Sequence, residues 1–442
     1  MAASHLPTLQ PTSTASTNPQ DAKRIAMVST HGYVSAEVEF GAPDTGGQVV
    51  FVLELSKCLA RFGYEVDILT RQFEGQPAVE PVAPGVQILR YPCGGPDFIP
   101  KETLAHHLAE WGENALRDLR ARGYTYSFIN SHYWDGGVAG AELADELRVP
   151  HIHTPHSLGF WKKQNMDGDP QELEAQYNFK ERIREEQHLF RAAQMVIATT
   201  PQQKDILVSD AYGLDARDVT VIPPGYDDTR FFPVSNASRS ALKAQYGYGG
   251  RVVMALGRLA RNKGYDLLVE AMPPVLERHE DVTLVLAAGS SELNASEQAL
   301  FDQIVQRADE LGIRDRIRFA DYIPEEALAD HYRFADVFCL CSRYEPFGMT
   351  AVEAMACGTP TVITTEGGLQ ERVQWGTHAL YANPFDAFDY GAAIHQLLQY
   401  PRVWGRVSRG GAQRARADFT WIGIAQQTLR QVEIHEDAEV VA

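Results

Sequence analysis

The chain has 442 residues, 44% hydrophobic and 22% charged, too long for one ordinary domain and suited to two globular halves with large cores. Forty lysines and arginines against 58 aspartates and glutamates give a formal charge of -18, opposite in sign to most nucleic-acid- or anionic-membrane-binding surfaces, so neither partner is expected. No apolar run is long enough to span a bilayer, and five cysteines (Cys58, Cys93, Cys339, Cys341, Cys357) in apolar or mixed surroundings suit reduced thiols and a cytoplasmic location.

Residues 1–23 are rich in Ser, Thr and Pro and lack the basic and apolar regions of a secretory signal, so they are expected to be a disordered lead-in. Order is expected from Arg24. Apolar runs of strand length occur at 25–29, 66–70, 86–91, 127–130, 151–153, 195–200 and 219–222, separated by helical patterns at 49–62, 103–120, 138–147 and 172–191. Three prolines and a glycine make 222–233 a linker. A second series follows, with strands at 252–256, 282–287, 317–319, 337–340 and 361–364 and helices at 267–277, 299–311 and 351–356. Ile422, Ala425, Leu429 and Val432 mark one face of a last amphipathic helix before an acidic tail. Strands with little alternation, interleaved with helices, predict an α/β protein of two doubly wound parallel sheets facing across a cleft. In such sheets ligands bind at the carboxyl ends of strands, so chemistry is sought in the loops there.

Four loops carry it. Asp44-Thr-Gly-Gly-Gln48 precedes a helix, and its glycines let the backbone approach a ligand near free N–H groups. It lacks the glycine spacing of a dinucleotide fingerprint and the lysine of a Walker loop. His153-Thr-Pro-His-Ser-Leu-Gly159 follows a strand; His151 and His153 read as core histidines, and His156 as a donor to a hydroxyl. Gly257-Arg-Leu-Ala-Arg-Asn-Lys-Gly264 carries Arg258 and Lys263 over a strand end, where paired cations suit a diphosphate. Arg343-Tyr-Glu-Pro-Phe-Gly-Met-Thr-Ala-Val-Glu353 places Glu345 before a helix start at Gly348 and Glu353 inside it. Lys101, Lys162, Lys163, Arg182 and Arg184 form a basic group in the first half, fit for a second phosphate. The D-x-D of Asp167 and Asp169 and the N-x-S matches at Asn236 and Asn294 read as chance.

In this order, D-T-G-G-Q, H-T-P-H-S-L-G-x-x-K, G-R-L-x-x-N-K-G and the E-x7-E of Glu345 and Glu353 resemble the retaining glycosyltransferases of the sucrose synthase and sucrose-phosphate synthase group. The resemblance covers about residues 24–430. The stretches 90–102, 130–135 and 223–227 narrow it to a bacterial branch that moves mannose from GDP-mannose to fructose 6-phosphate. It implies the GT-B fold, with an acceptor domain over 24–227, a nucleotide-sugar domain over 228–405, and helices over 406–442 returning toward the first domain. It further implies that Arg258 and Lys263 neutralise the donor diphosphate, with no obligatory metal and Mg2+ only as a stimulant. Glu345 and the backbone of Phe347, Gly348 and Met349 would meet the donor sugar, Thr350 a phosphate and Glu353 the ribose. Gly47 would allow close approach and His156 would bond the sugar, while Gln48, Lys101, Lys162 and Arg182 would hold the phosphorylated ketohexose. Where relatives carry a glycine-rich turn, this chain has Ala287-Ala-Gly-Ser-Ser291. A sucrose-phosphate synthase using UDP- or ADP-glucose, a sugar-nucleotide epimerase of the same fold and a non-catalytic sensor remain as alternatives.

Overall fold

The computed structural model describes residues 23–38, 43–166, 169–288, 293–320 and 323–441. The expected lead-in up to residue 22, Asp167 of the D-x-D and residues 289–291 of the departing turn lie outside them, as do the side chains of the acidic tail from 436 onward.

The first sheet contains β1 (Arg24–Val28), β2 (Glu65–Gln72), β3 (Val79–Ala83), β4 (Val86–Pro92), β5 (Phe128–His132), β6 (His151–Thr154), β7 (Met195–Ala198) and β8 (Val219–Val221), in the order β3-β4-β2-β1-β5-β6-β7-β8. The second contains β9 (Arg251–Gly257), β10 (Val282–Ala288), β11 (Ile317–Ala320), β12 (Val337–Leu340), β13 (Thr361–Thr364) and β14 (Leu380–Ala382), in the order β11-β10-β9-β12-β13-β14. Every pairing is parallel except β3 with β4. Ile25 stands beside Val66 on one side and Phe128 on the other, the register that places β1 centrally.

Burial on both faces explains the unalternating strands. Along β9, Val253 and Ala255 enter one core while Val252 and Met254 enter the opposite one. Trp421, Ile424, Ala425 and Val432 of the helix Trp421–Val441 lie in the core of the first sheet with Ile25 and Phe51. The chain therefore returns to its first half after completing the second. It crosses where it first left: the Tyr226 N–H donates to the Phe419 carbonyl at 2.7 Å and the Trp421 N–H to that of Tyr226 at 3.3 Å.

The departures from the predicted elements have local causes. β3 is a half-exposed edge strand interrupted by Pro81, so neither periodicity nor apolar content marks it. The helix expected over 172–191 is two, Pro170–Tyr177 and Phe179–Ala192, divided at Asn178 with φ 48°. The helix expected over 267–277 is also divided, with Pro273 opening its second piece. All five cysteines are buried and unpaired, and no helix among the described residues is long and apolar enough to cross a membrane.

Candidate active site

Strand order reverses between β1 and β5 in one sheet and between β9 and β12 in the other. Three of the four motif loops follow β1, β9 and β12, and the fourth follows β6, next to β5. The fold thus brings them to the two crevices where α/β sheets hold ligands.

On the second domain, the turn Arg261–Lys263 ends at Gly264, φ 69°, where a Cβ would lie 2.0 Å from the Cys341 carbonyl oxygen. Only glycine lets this loop rest on the end of β12. The Arg343 N–H donates to the Asn262 carbonyl at 2.7 Å, and the Arg343 guanidinium to Arg261 and Asp266, tying the two motifs together. Lys263 Nζ and Ser342 Oγ donate to Glu345 Oε2 at 2.7 and 2.8 Å. The Glu345 backbone pairs with Glu366 and Gly368, so this carboxylate is fixed from both ends. Arg258 is exposed and makes no ion pair with a described residue.

After Pro346 the chain turns at Gly348, φ 108°, where a Cβ would meet Leu340 at 2.6 Å, and enters the helix Met349–Ala356. Phe347 packs its ring 5.6 Å from that of Phe419, leaving its backbone to line the turn. Met349 and Thr350 are half-buried in the first helical turn. Glu353 accepts from the Tyr332 hydroxyl at 2.8 Å, and burial pushes its carboxyl up to about 7.

On the first domain, Gly46 and Gly47 have no left-handed φ, and a Cβ on either would meet nothing within 4 Å. The fold itself does not require glycine there. Gln48 donates to Ser29 Oγ at 3.1 Å. Lys101 forms an ion pair with Asp44 and lies 3.3 Å from Glu102. Lys162 has no carboxylate partner among the described residues; its Nζ sits 4.0 Å from the centre of the Tyr177 ring. Burial, then the charges of Arg182 and Lys101, push its ammonium down to about 8.

Arg182 is held by partners within the protein. It is 3% exposed, and its guanidinium donates to Glu186 at 2.7 Å, the Tyr133 hydroxyl at 2.8 Å and the Ser157 carbonyl at 2.8 Å. Glu186 also accepts from the Gly159 N–H. The pair therefore supports the histidine loop from behind. Lys163 and Arg184 are exposed, with Glu174 and Glu185 as partners. His151 Nε2 and His153 Nδ1 both meet Ser131 Oγ, at 2.7 and 2.8 Å, as buried core groups; no described cluster of three or more His, Cys, Asp or Glu is arranged to hold a metal.

His156 has φ 57°, its ring is edge-on to Phe51 at 4.9 Å, and its Nε2 lies 2.9 Å from His132 Nδ1. Burial pushes its imidazole down to about 3. His132, Asp135 and Tyr133 carry no spacing signal of their own. Asp135 is fully buried and accepts from Thr30 Oγ1 at 2.6 Å and His31 Nδ1 at 2.9 Å. Tyr133, φ 63°, places its ring 4.8 Å from that of His31.

The domains touch beside the site. Tyr344 packs on the first-domain core with its ring 5.0 Å from Trp161, and a Cβ on Gly368 would lie 2.3 Å from Thr200 Cγ2. A cavity of about 350 Å³ lies between Trp161, Asn165 and Gln202 on one side and Tyr344, Glu366 and Phe385 on the other. Fixed cations at strand ends, carboxylates that each have a partner and a neutral imidazole suit binding and positioning of two anionic ligands better than covalent attack by a carboxylate.

Comparison with known proteins identifies the family and the fold. The family model for Glycosyltransferase Family 4 matches residues 45–230, and that for Glycosyl transferases group 1 matches residues 242–413. The chain is 53% identical over 414 residues to a mannosylfructose-phosphate synthase of Agrobacterium fabrum, covering 93% of this chain and 91% of the relative. It is 33% identical to a D-inositol 3-phosphate glycosyltransferase of Corynebacterium jeikeium, over 91% of this chain and 94% of that one. Among solved structures, a sucrose-phosphate synthase of Thermosynechococcus elongatus superposes with a TM-score of 0.78 at 30% identity, over 95% of this chain and all of the other.

Proposed function

The chain belongs to the mannosylfructose-phosphate synthase branch of the sucrose-phosphate synthase-like glycosyltransferases of GT-B fold, and from that premise we propose that it moves mannose from GDP-mannose to fructose 6-phosphate with retention at the anomeric carbon. The product is the phosphate of a non-reducing disaccharide. The observation that carries a phosphorylated acceptor is Lys162, a half-buried ammonium with no carboxylate partner among the described residues, depressed to about 8 beside Lys101. A phosphate there supplies the counter-charge that the fold withholds.

On the donor side, Arg258 and Lys263 receive the diphosphate. Lys263 exchanges Glu345 for phosphate, which frees Glu345 for the sugar hydroxyls. Thr350 contacts a phosphate and Glu353 the ribose, while the backbone of Phe347, Gly348 and Met349 lines the hexose. A double-displacement route needs a free carboxylate beside the anomeric carbon. Glu353 and Asp44 have partners, and Glu345, once released by Lys263, is taken up by the sugar hydroxyls, which favours front-face substitution. In that route the leaving phosphate oxygen takes the proton of the incoming hydroxyl, and the cations stabilise the charge left on the diphosphate. Gly47 makes room at the reacting centre, Gln48, Lys101 and Lys162 hold the acceptor, and Arg182 supports them through Ser157. No obligatory metal enters this scheme, because two side-chain cations carry the diphosphate; Mg2+ is a stimulant at most.

The 30% identity to a sucrose-phosphate synthase favours one second reading, transfer of glucose from UDP- or ADP-glucose to the same acceptor. A panel of nucleotide sugars, with and without fructose 6-phosphate and with and without chelator, separates them by nucleotide release. Release from GDP-mannose only when the acceptor is present is the expected result. Preference for UDP- or ADP-glucose selects the second reading, and conversion of a donor without acceptor indicates an epimerase.

A further inference from the structure

His132 closes β5 and is fully buried, with Nδ1 2.9 Å from Nε2 of His156. Burial holds both imidazoles neutral near pH 7, that of His132 well below its ordinary range. A contact of this length between two neutral imidazoles contains one proton, and two arrangements supply it. If His156 donates from Nε2, His132 must carry its own proton on Nε2. That atom is buried without a partner among the described residues, and the nearby wall includes the Phe51 ring, whose centre is 5.7 Å from that of His132. If His132 donates from Nδ1, its Nε2 is a bare lone pair and the proton of His156 sits on Nδ1. Sealing an unpartnered N–H from water costs more than leaving an acceptor unused, so the second arrangement prevails.

The outer nitrogen of His156 matches this assignment. Its Nδ1 has no hydrogen-bond partner among the described residues and is not one of the sealed polar atoms, so it is open on the half-buried loop after β6. The left-handed φ of 57° at His156 fixes how the ring leaves that loop. We propose that His132 is a positioning residue that locks His156 as the Nδ1–H tautomer, so that the site presents a hydrogen-bond donor to a hydroxyl of the transferred hexose. This rests on the reading of His156 as a sugar contact and sharpens it. An imidazole with a protonated outer nitrogen cannot take a proton there, so His156 donates and leaves the acceptor's proton to the departing phosphate.

The test uses the full chain labelled with 15N-histidine, in which the His156 signals are identified by their loss in His156→Gln. Long-range 1H–15N spectra are expected to place the proton of His156 on Nδ1 in the wild type. His132→Asn keeps an N–H near the position of Nδ1 and is expected to preserve that tautomer and transfer to within about threefold. His132→Leu removes the donor; His156 then shifts toward the Nε2–H form, and kcat for transfer falls by about tenfold, the loss of one hydrogen bond. An Nε2–H tautomer in the wild type overturns the proposal, even if the leucine variant does not fold. So does an asparagine variant that is folded, by its melting curve, yet no better than leucine. Because the spectra need no substrate, an Nδ1–H wild type that transfers nothing would reject the functional reading and leave the tautomer standing.

Discussion

Lys162→Met is expected to change stability and acceptor use in opposite directions. An ammonium held at about 8 instead of the ordinary 10.5 is worse off in the fold than in water. At about 1.4 kcal/mol for each factor of ten, that is roughly 3 kcal/mol. Partial exposure and the cation–π contact with Tyr177 reduce the recoverable part to about 1–2 kcal/mol. The sign follows from proton linkage. Below about pH 8 the lysine is charged in both states and the penalty is complete. Between about 8 and 10.5 the folded protein releases the proton while the unfolded chain keeps it, so stability recovers as pH rises. At pH 7 the methionine variant should therefore melt about 1–2 °C higher, with the difference vanishing above about pH 10.5.

The same substitution removes a charge-assisted bond to the acceptor phosphate, worth about 1.5–3 kcal/mol, so kcat/KM for fructose 6-phosphate should fall roughly 10- to 150-fold with donor KM unchanged. In the wild type, kcat/KM for the acceptor should fall about tenfold per pH unit above about 8, as Lys162 loses its proton. Lys162→Arg should abolish that fall, because a guanidinium stays charged. Nucleotide release against acceptor concentration, with melting curves on the same samples, reads all of these. A methionine variant that melts lower and keeps its acceptor kinetics would make Lys162 a structural partner of Tyr177 and not a ligand of the phosphate.

Gly47→Ala adds a methyl group that meets nothing within 4 Å in the protein, so stability should be unchanged or raised by up to about 1 kcal/mol while kcat drops about 100-fold; normal turnover would show that no ligand comes close there. Lys263→Ala should lower kcat by about 100- to 1000-fold with little change in melting temperature, and near-normal turnover would remove it from the diphosphate site. Tyr344→Ala uncovers Trp161, which is 9% exposed, and should red-shift tryptophan emission and raise donor hydrolysis relative to transfer. Tyr344→Phe should preserve both, and an alanine variant with unaltered partitioning would deny that this contact closes the cleft.

The fold and the motif loops were legible because parallel sheets leave few choices. Strands buried on both faces announce themselves by composition, and the reversal of strand order then determines which loops face a ligand. What was not legible depends on partners far apart in sequence. Nothing around His132 foretells His156, and nothing near Trp161 foretells Tyr344 in the other domain. Arg182 is different, because Glu186 stands four residues on and the pair is an (i, i+4) contact on one helix face. That spacing was a signal that the guanidinium had a carboxylate partner on its own helix. The break at Asn178 escaped because asparagine enters the left-handed region at little cost and interrupts no apolar pattern.

The acidic total also acquires a local meaning. Each half of the site pairs one lysine with a carboxylate, Lys101 with Asp44 and Lys263 with Glu345, and leaves one cation, Lys162 or Arg258, without an ion pair among the described residues. The paired lysines exchange one anion for another when a phosphate arrives, so their net contribution to ground-state affinity is small. Affinity then rests on the two unpaired cations. Lys263 contributes most when the leaving diphosphate gains charge as the glycosidic bond breaks, and at that moment Glu345, released to the sugar, no longer competes for it. Replacing Arg258 should therefore act mainly on donor KM and replacing Lys263 mainly on kcat. Equal effects of both substitutions on KM alone would mean that the Lys263–Glu345 pair opens without any link to the chemistry.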